Sequence, residues 1–154
     1  MAGKIDSRLA ELGITLPPAP MPAANYVPFV RTGNLVFIAG QVSAAGSETF
    51  KGRLGADLDV EAGQAAARTC GLAILAQLSA ALGGDLDRVT RCVKLGGFVT
   101  CTPEFDQMPA VINGCSNLMV EVFGDAGKHA RFAVGAPQLP FGFAVEVDAV
   151  FEVS

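Results

Sequence analysis

Basic charge is scarce in this 154-residue sequence: 11 Lys and Arg stand against 15 Asp and Glu, for a net charge of -4. The positive footprint that neutralises phosphates is missing, so nucleic acid is not an expected partner. Histidine occurs once, as His129, and the four cysteines, Cys70, Cys92, Cys101 and Cys115, contain no Cys-x-x-Cys pair. A metal centre is therefore not expected. There is no Gly-x-Gly-x-x-Gly turn, phosphate loop or Gly-x-Ser-x-Gly elbow, which removes most cofactor-dependent classes; none of these groups is expected here. Nothing before Arg8 resembles a signal peptide, so the expectation is a cytoplasmic protein with reduced thiols. Long apolar runs are also few. The most apolar window, 65–82, is interrupted by Arg68, Thr69, Gln77 and Ser79 and ended by Gly83-Gly84, so it reads as a buried helix and no membrane partner is expected.

What the chain does have is apolar surface: 51% of its residues are hydrophobic and only 17% charged. Its length suits one domain over 1–154, and the apolar surplus suggests a subunit interface. Asp6 or Ser7 can cap a short helix through Leu12, ended by Gly13. The proline-rich stretch 16–22 must run extended and reads as an arm, so that 1–22 forms a helix and arm before the main body. Strands over 26–31 and 35–39 flank the turn Thr32-Gly33-Asn34, with Gly40-Gln41 directly after. Residues 44–55 read as a loop or weak edge strand. Asp59 can cap a helix over 60–82. A strand over 89–99 follows, then a helical region starting at Thr102-Pro103-Glu104, regular over 107–123 and closed by Gly124. Strands over 130–136 and 143–153 end the chain. This order predicts an α+β fold: a mixed sheet with two long helices on one face, and a second face left for other copies of the chain.

Two charges interrupt the last apolar strands. Alternation puts Arg131 on the face of Ala133, and Glu146 on the face opposite Val145, Val147 and Phe151. Such side chains are solvated, paired or used. A small carboxylate would suit both, because a guanidinium matches it as a planar fork and a glutamate can move a proton. His129 reads as a solvated loop residue, and the cysteines as packing. Asn117, amid Leu118, Met119 and Val120, faces either solvent or a polar niche, and Phe29 reads as core.

Segments 25–41 and 117–124, with Ala130-Arg131, Leu139-Pro140 and Val145-Glu146-Val147, resemble the signature segments of the YjgF/Rid family of reactive-intermediate deaminases, known in older usage as endoribonuclease L-PSP proteins. The resemblance spans about residues 21–153. It implies a chorismate-mutase-like fold, a homotrimer with a central barrel, and clefts between subunits that hydrolyse 2-imino acids to 2-keto acids and ammonia. On that likeness Arg131 would bind the substrate carboxylate and Glu146 would position or activate water. Asn117 and the Ala39-Gly40-Gln41 backbone would line the pocket. Two positions depart from the family: Phe29 stands where a tyrosine is expected over the substrate, and Ala133 where a cysteine is common. A binding protein without turnover is the alternative that Phe29 suggests, and a ribonuclease fits the acidic balance poorly. The arm before the similar region is placed to cap or narrow a cleft.

Overall fold

The structure is a computed structural model that describes residues 3–22 and 24–154; Met1 and Ala2, at the start of the expected extension, and Ala23 lie outside the described residues. Helix α1 spans Lys4–Glu11. Its cap is neither Asp6 nor Ser7: Gly3 holds the cap position, and the Asp87 carboxylate accepts the N–H groups of Lys4 and Ile5 at 2.9 and 2.8 Å. A distant carboxylate thus satisfies the orphan donors of the first turn. Strand β1 is Phe29–Thr32 and β2 is Leu35–Val42, joined by a turn in which Gly33 has φ 58°. The expected start of β1 near Tyr26 is too early, since Pro28 has no N–H to give a ladder. The residues expected to form a loop or weak edge include a small hairpin of β3, Ala44–Ala45, and β4, Glu48–Thr49.

Helix α2, Val60–Ala81, begins as expected, with the Asp59 carboxylate accepting the Ala62 N–H at 2.8 Å. Strand β5 is Val89–Thr100, and α3 is Met108–Phe123 with Pro109 in its first turn and Gly124 at its end. The helical start expected at Thr102 does not form. The Thr102 N–H instead donates to the Leu54 carbonyl at 3.0 Å, tying this segment to another part of the chain. Strands β6, Ala130–Ala136, and β7, Val145–Val153, complete the fold.

The main sheet has the order β1-β2-β7-β5-β6, antiparallel except for the β5–β6 pair. A parallel pair needs a crossover, and α3 supplies it. Between Ile38 and Gln41, β2 carries one residue more than β7, a bulge through which the strand runs on to Val42, so that Gly40-Gln41 lies within it instead of after it. Helices α2 and α3 cover one face, over a core that includes Ile74, Leu95, Ile112, Met119, Val147 and Phe151. No helix of the described residues is long and apolar enough to cross a membrane. On the other face Val30, Phe37, Phe98 and Val134 remain exposed.

Glycine sets how closely the helices approach. A Cβ on Gly114 in α3 would strike the Gln64 carbonyl oxygen of α2, a backbone atom that cannot swing aside. Gly114→Ala is expected to destabilise the fold by about 1–3 kcal/mol, since overpacking forces the backbone to move. Urea unfolding should show a lower midpoint with an unchanged slope.

Candidate active site

A cavity of about 340 Å³ lies where the β2 bulge meets the proline-rich arm and the turn before β7. Gly40, Gln41 and Glu146 form its polar side, while Tyr26, Phe141 and Phe143 contribute aromatic rings. The bulge matters because Gly40 lies hard against Glu146: a Cβ there would overlap the carboxylate oxygen Oε2. Gln41 is buried, and its Nε2 donates to the Ala39 carbonyl at 2.9 Å, while the Ala39 N–H donates to the Pro28 carbonyl at 2.9 Å. These bonds hold the irregular backbone in shape. From α2, the buried Gln77 side chain donates to the Pro20 carbonyl and so fixes the arm against the cavity.

Glu146 is half-buried and joins no salt bridge among the described residues. Burial pushes its carboxyl above the ordinary carboxylate range, and nearby Asp148 adds to the rise. Lys51 places its Nζ 4.9 Å from the centroid of the Phe143 ring, but no lysine or arginine lines the cavity itself.

Arg131 sits elsewhere. It pairs in register with Leu95, which is buried beneath the helices, whereas Glu146 pairs with Phe98 on the uncovered face. The alternation expected for both residues is what the strands show. The two charges therefore occupy opposite faces, with β5 between their strands; neighbouring strands lie about 4.8 Å apart, so β6 and β7 are separated by roughly 10 Å. At the sheet edge, Arg131 Nη1 donates to Asn113 Oδ1 at 2.8 Å and Ser116 Oγ at 3.2 Å. Its Nε and Nη2 donate to no other described residue, leaving one edge of the guanidinium open for a bidentate partner.

His129 is not a solvated loop residue. Its Nδ1 lies 2.6 Å from the Gly127 carbonyl and its Nε2 lies 2.9 Å from Ser116 Oγ. With Nδ1 donating to the carbonyl, the neutral ring accepts the serine proton at Nε2, and the serine oxygen in turn accepts from Arg131. Burial lowers the His129 pKa, the Gly127 carbonyl opposes this, and Arg131 adds to the fall. The neutral ring thus stays in place to orient Ser116, and through it Arg131.

Of the expected site residues, Gly40, Gln41 and Glu146 come together at the cavity. Ala39 lies behind it as an acceptor for Gln41. Asn117 is exposed on α3, and it is Asn113, one turn earlier, that holds Arg131. The i, i+3 spacing of Asn113 and Ser116 was the available signal for a shared helix face. Phe29 packs against the core, while Tyr26 is among the residues lining the cavity. The four cysteines are free and buried, with burial pushing Cys92 up to about 12 and Cys70 and Cys115 well above the usual range. None of those three is poised as a thiolate.

Over residues 6–152 the chain matches the family described as "YjgF/chorismate_mutase-like, putative endoribonuclease". Protein TCP17 of Trypanosoma cruzi is 50% identical over 157 residues, covering 99% of this chain and 96% of that protein. The crystal structure of Atu1372 from Agrobacterium tumefaciens, a protein of unknown function, is 48% identical with a TM-score of 0.91, covering 97% of this chain and 92% of that one. A Shewanella oneidensis MR-1 protein called a "putative endoribonuclease" is 31% identical with a TM-score of 0.93, covering 98% and 100% of the two chains.

Proposed function

Because the chain belongs to the YjgF/chorismate-mutase-like family, we propose that it hydrolyses 2-imino acids, formed from enamines such as 2-aminoacrylate, to 2-keto acids and ammonia in a cleft between copies of the chain. The observation that carries this reading is Glu146, an unpaired, half-buried carboxylate with a raised pKa facing an apolar cavity. A carboxyl shifted towards neutrality is suited to exchanging protons with water and substrate.

A protonated imine carbon is already electrophilic, so the chemistry asks mainly for orientation and proton transfer. Glu146 takes a proton from water as the water oxygen bonds to the imine carbon. It returns that proton to nitrogen, the C–N bond breaks, ammonia leaves, and the remaining hydroxyl proton is lost to give the keto group. The substrate carboxylate needs a cation that the cavity of one chain does not supply. Arg131 of a neighbouring copy provides it in this reading, held by Asn113 and by Ser116, which His129 orients, with its open edge towards the cleft. The exposed apolar sheet face is the surface on which the copies join, as a trimer around a central barrel. Cytoplasmic placement fits an enzyme that acts on short-lived metabolic imines.

The non-catalytic alternative suggested by Phe29 is separated by calorimetry, since tight 2-keto acid binding without imine hydrolysis would favour it. Ribonuclease activity lacks a basic groove or a histidine pair to carry it. The test is 2-keto acid release from imines generated in situ by an amino-acid oxidase. Purified protein is expected to accelerate release well beyond buffer; no acceleration across several imines rejects the reading.

A further inference from the structure

We propose that the imines taken by this site carry a large apolar side chain, aromatic or branched, and that Met21, Tyr26 and Phe141 form the wall that selects it. This rests on the imine-hydrolysis reading above. Apart from Glu146, the Tyr26 phenol and two amides, from Gln41 and Gln77, that already donate to backbone carbonyls, the side chains around the cavity are apolar, so a polar or charged substrate side chain would lose its hydration for few partners.

Phe141 gives an independent reason. It is the only non-glycine residue with positive φ among the described residues, at φ 58°, and 76% of it is exposed. A bulky side chain is strained in this left-handed conformation, where glycine or asparagine would sit easily. The exposed ring contributes little core packing to offset that strain. Strain retained at the edge of a cavity is characteristic of a residue kept for contact with a ligand. Met21 is also turned outward, at 88% exposure, on an arm that Gln77 anchors through Pro20. An apolar thioether and a strained phenyl ring thus border the same opening, beside Tyr26. Each adapts to an apolar surface and offers nothing to a small polar one.

The experiment compares kcat/KM for imines generated in situ from phenylalanine, leucine and alanine by amino-acid oxidases. A single methylene in an apolar pocket is worth about 10–200-fold in discrimination, so the two larger imines are expected to exceed the alanine-derived one at least tenfold. Phe141→Asn and Met21→Ser should each reduce that ratio at least threefold. Asparagine tolerates φ 58°, so Phe141→Asn should keep or raise Tm, separating lost selectivity from lost folding. Turnover with equal or reversed preference overturns this proposal and leaves imine hydrolysis standing. A Phe141→Asn variant with altered assembled mass but an intact ratio also overturns it, by making the ring a contact between copies. If no imine is accelerated, the underlying reading fails, and calorimetry then judges the wall alone. Phenylpyruvate binding at least tenfold tighter than pyruvate, weakened in Phe141→Asn, supports it; equal affinities reject it.

Discussion

An equimolar mixture of Arg131→Ala and Glu146→Gln chains, unfolded and reassembled together, is expected to regain about one quarter of wild-type turnover. Each variant alone should lose about 10²-fold or more in kcat/KM, through a missing carboxylate clamp in one case and a missing proton acceptor in the other. The recovery follows from the faces of the sheet. Arg131 belongs to the helix-covered side and Glu146 to the open side, so one chain does not point both at one substrate. If each cleft takes its arginine from one copy and its glutamate from the next, random reassembly gives about one cleft in four with both groups intact. Mixing without unfolding should restore nothing on the same timescale, because the chains have not exchanged. A reassembled mixture that stays inactive while showing exchanged subunits by mass spectrometry would mean that a single chain supplies both groups.

Much of this arrangement can be read along the chain, and what cannot has a common cause. Strand alternation places Arg131 beside Ala133 and Glu146 opposite Val147, and the Asp59 cap marks the start of α2, because these depend on neighbours a few residues away. The Asp87 carboxylate that caps α1 lies more than eighty residues from the helix it serves. The same holds for Gln77 and Pro20, which no local pattern connects. Asn117 and Asn113 differ by one helical turn, and only the packing of α3 against the edge of β6 decides which one meets Arg131. His129 looks like a loop residue by its glycine and lysine neighbours, yet the Gly127 carbonyl and Ser116 draw its ring inward. The bulge that keeps Gly40 within β2 comes from a mismatch with β7, a strand at the far end of the chain.

That bulge gives the sharpest separation of function from stability. Gly40→Ala is expected to lower kcat by about 10²-fold or more, a loss comparable to removing a general base, while shifting the unfolding midpoint little. The new Cβ meets the Glu146 side chain, its Oε2 most closely, and that side chain can rotate away, whereas Gly114→Ala meets a backbone carbonyl that cannot. Rotation carries the carboxylate out of the cavity, and its burial, the main cause of its raised pKa, is relieved. Two pH effects follow. A general base must be ionised, so wild-type activity falls as pH drops through the raised Glu146 pKa; in Gly40→Ala this acid limb should move to lower pH. The stability effect has the opposite sense: a carboxyl whose pKa is higher folded than unfolded contributes stability at low pH, and loses it as pH rises through the folded pKa. Relieving the burial should therefore leave Gly40→Ala less prone to this loss than wild type between weakly acidic and neutral pH. Measured kcat–pH profiles and urea midpoints across that range read both. An unchanged acid limb alongside full activity would show that Glu146 does not use the position Gly40 leaves open.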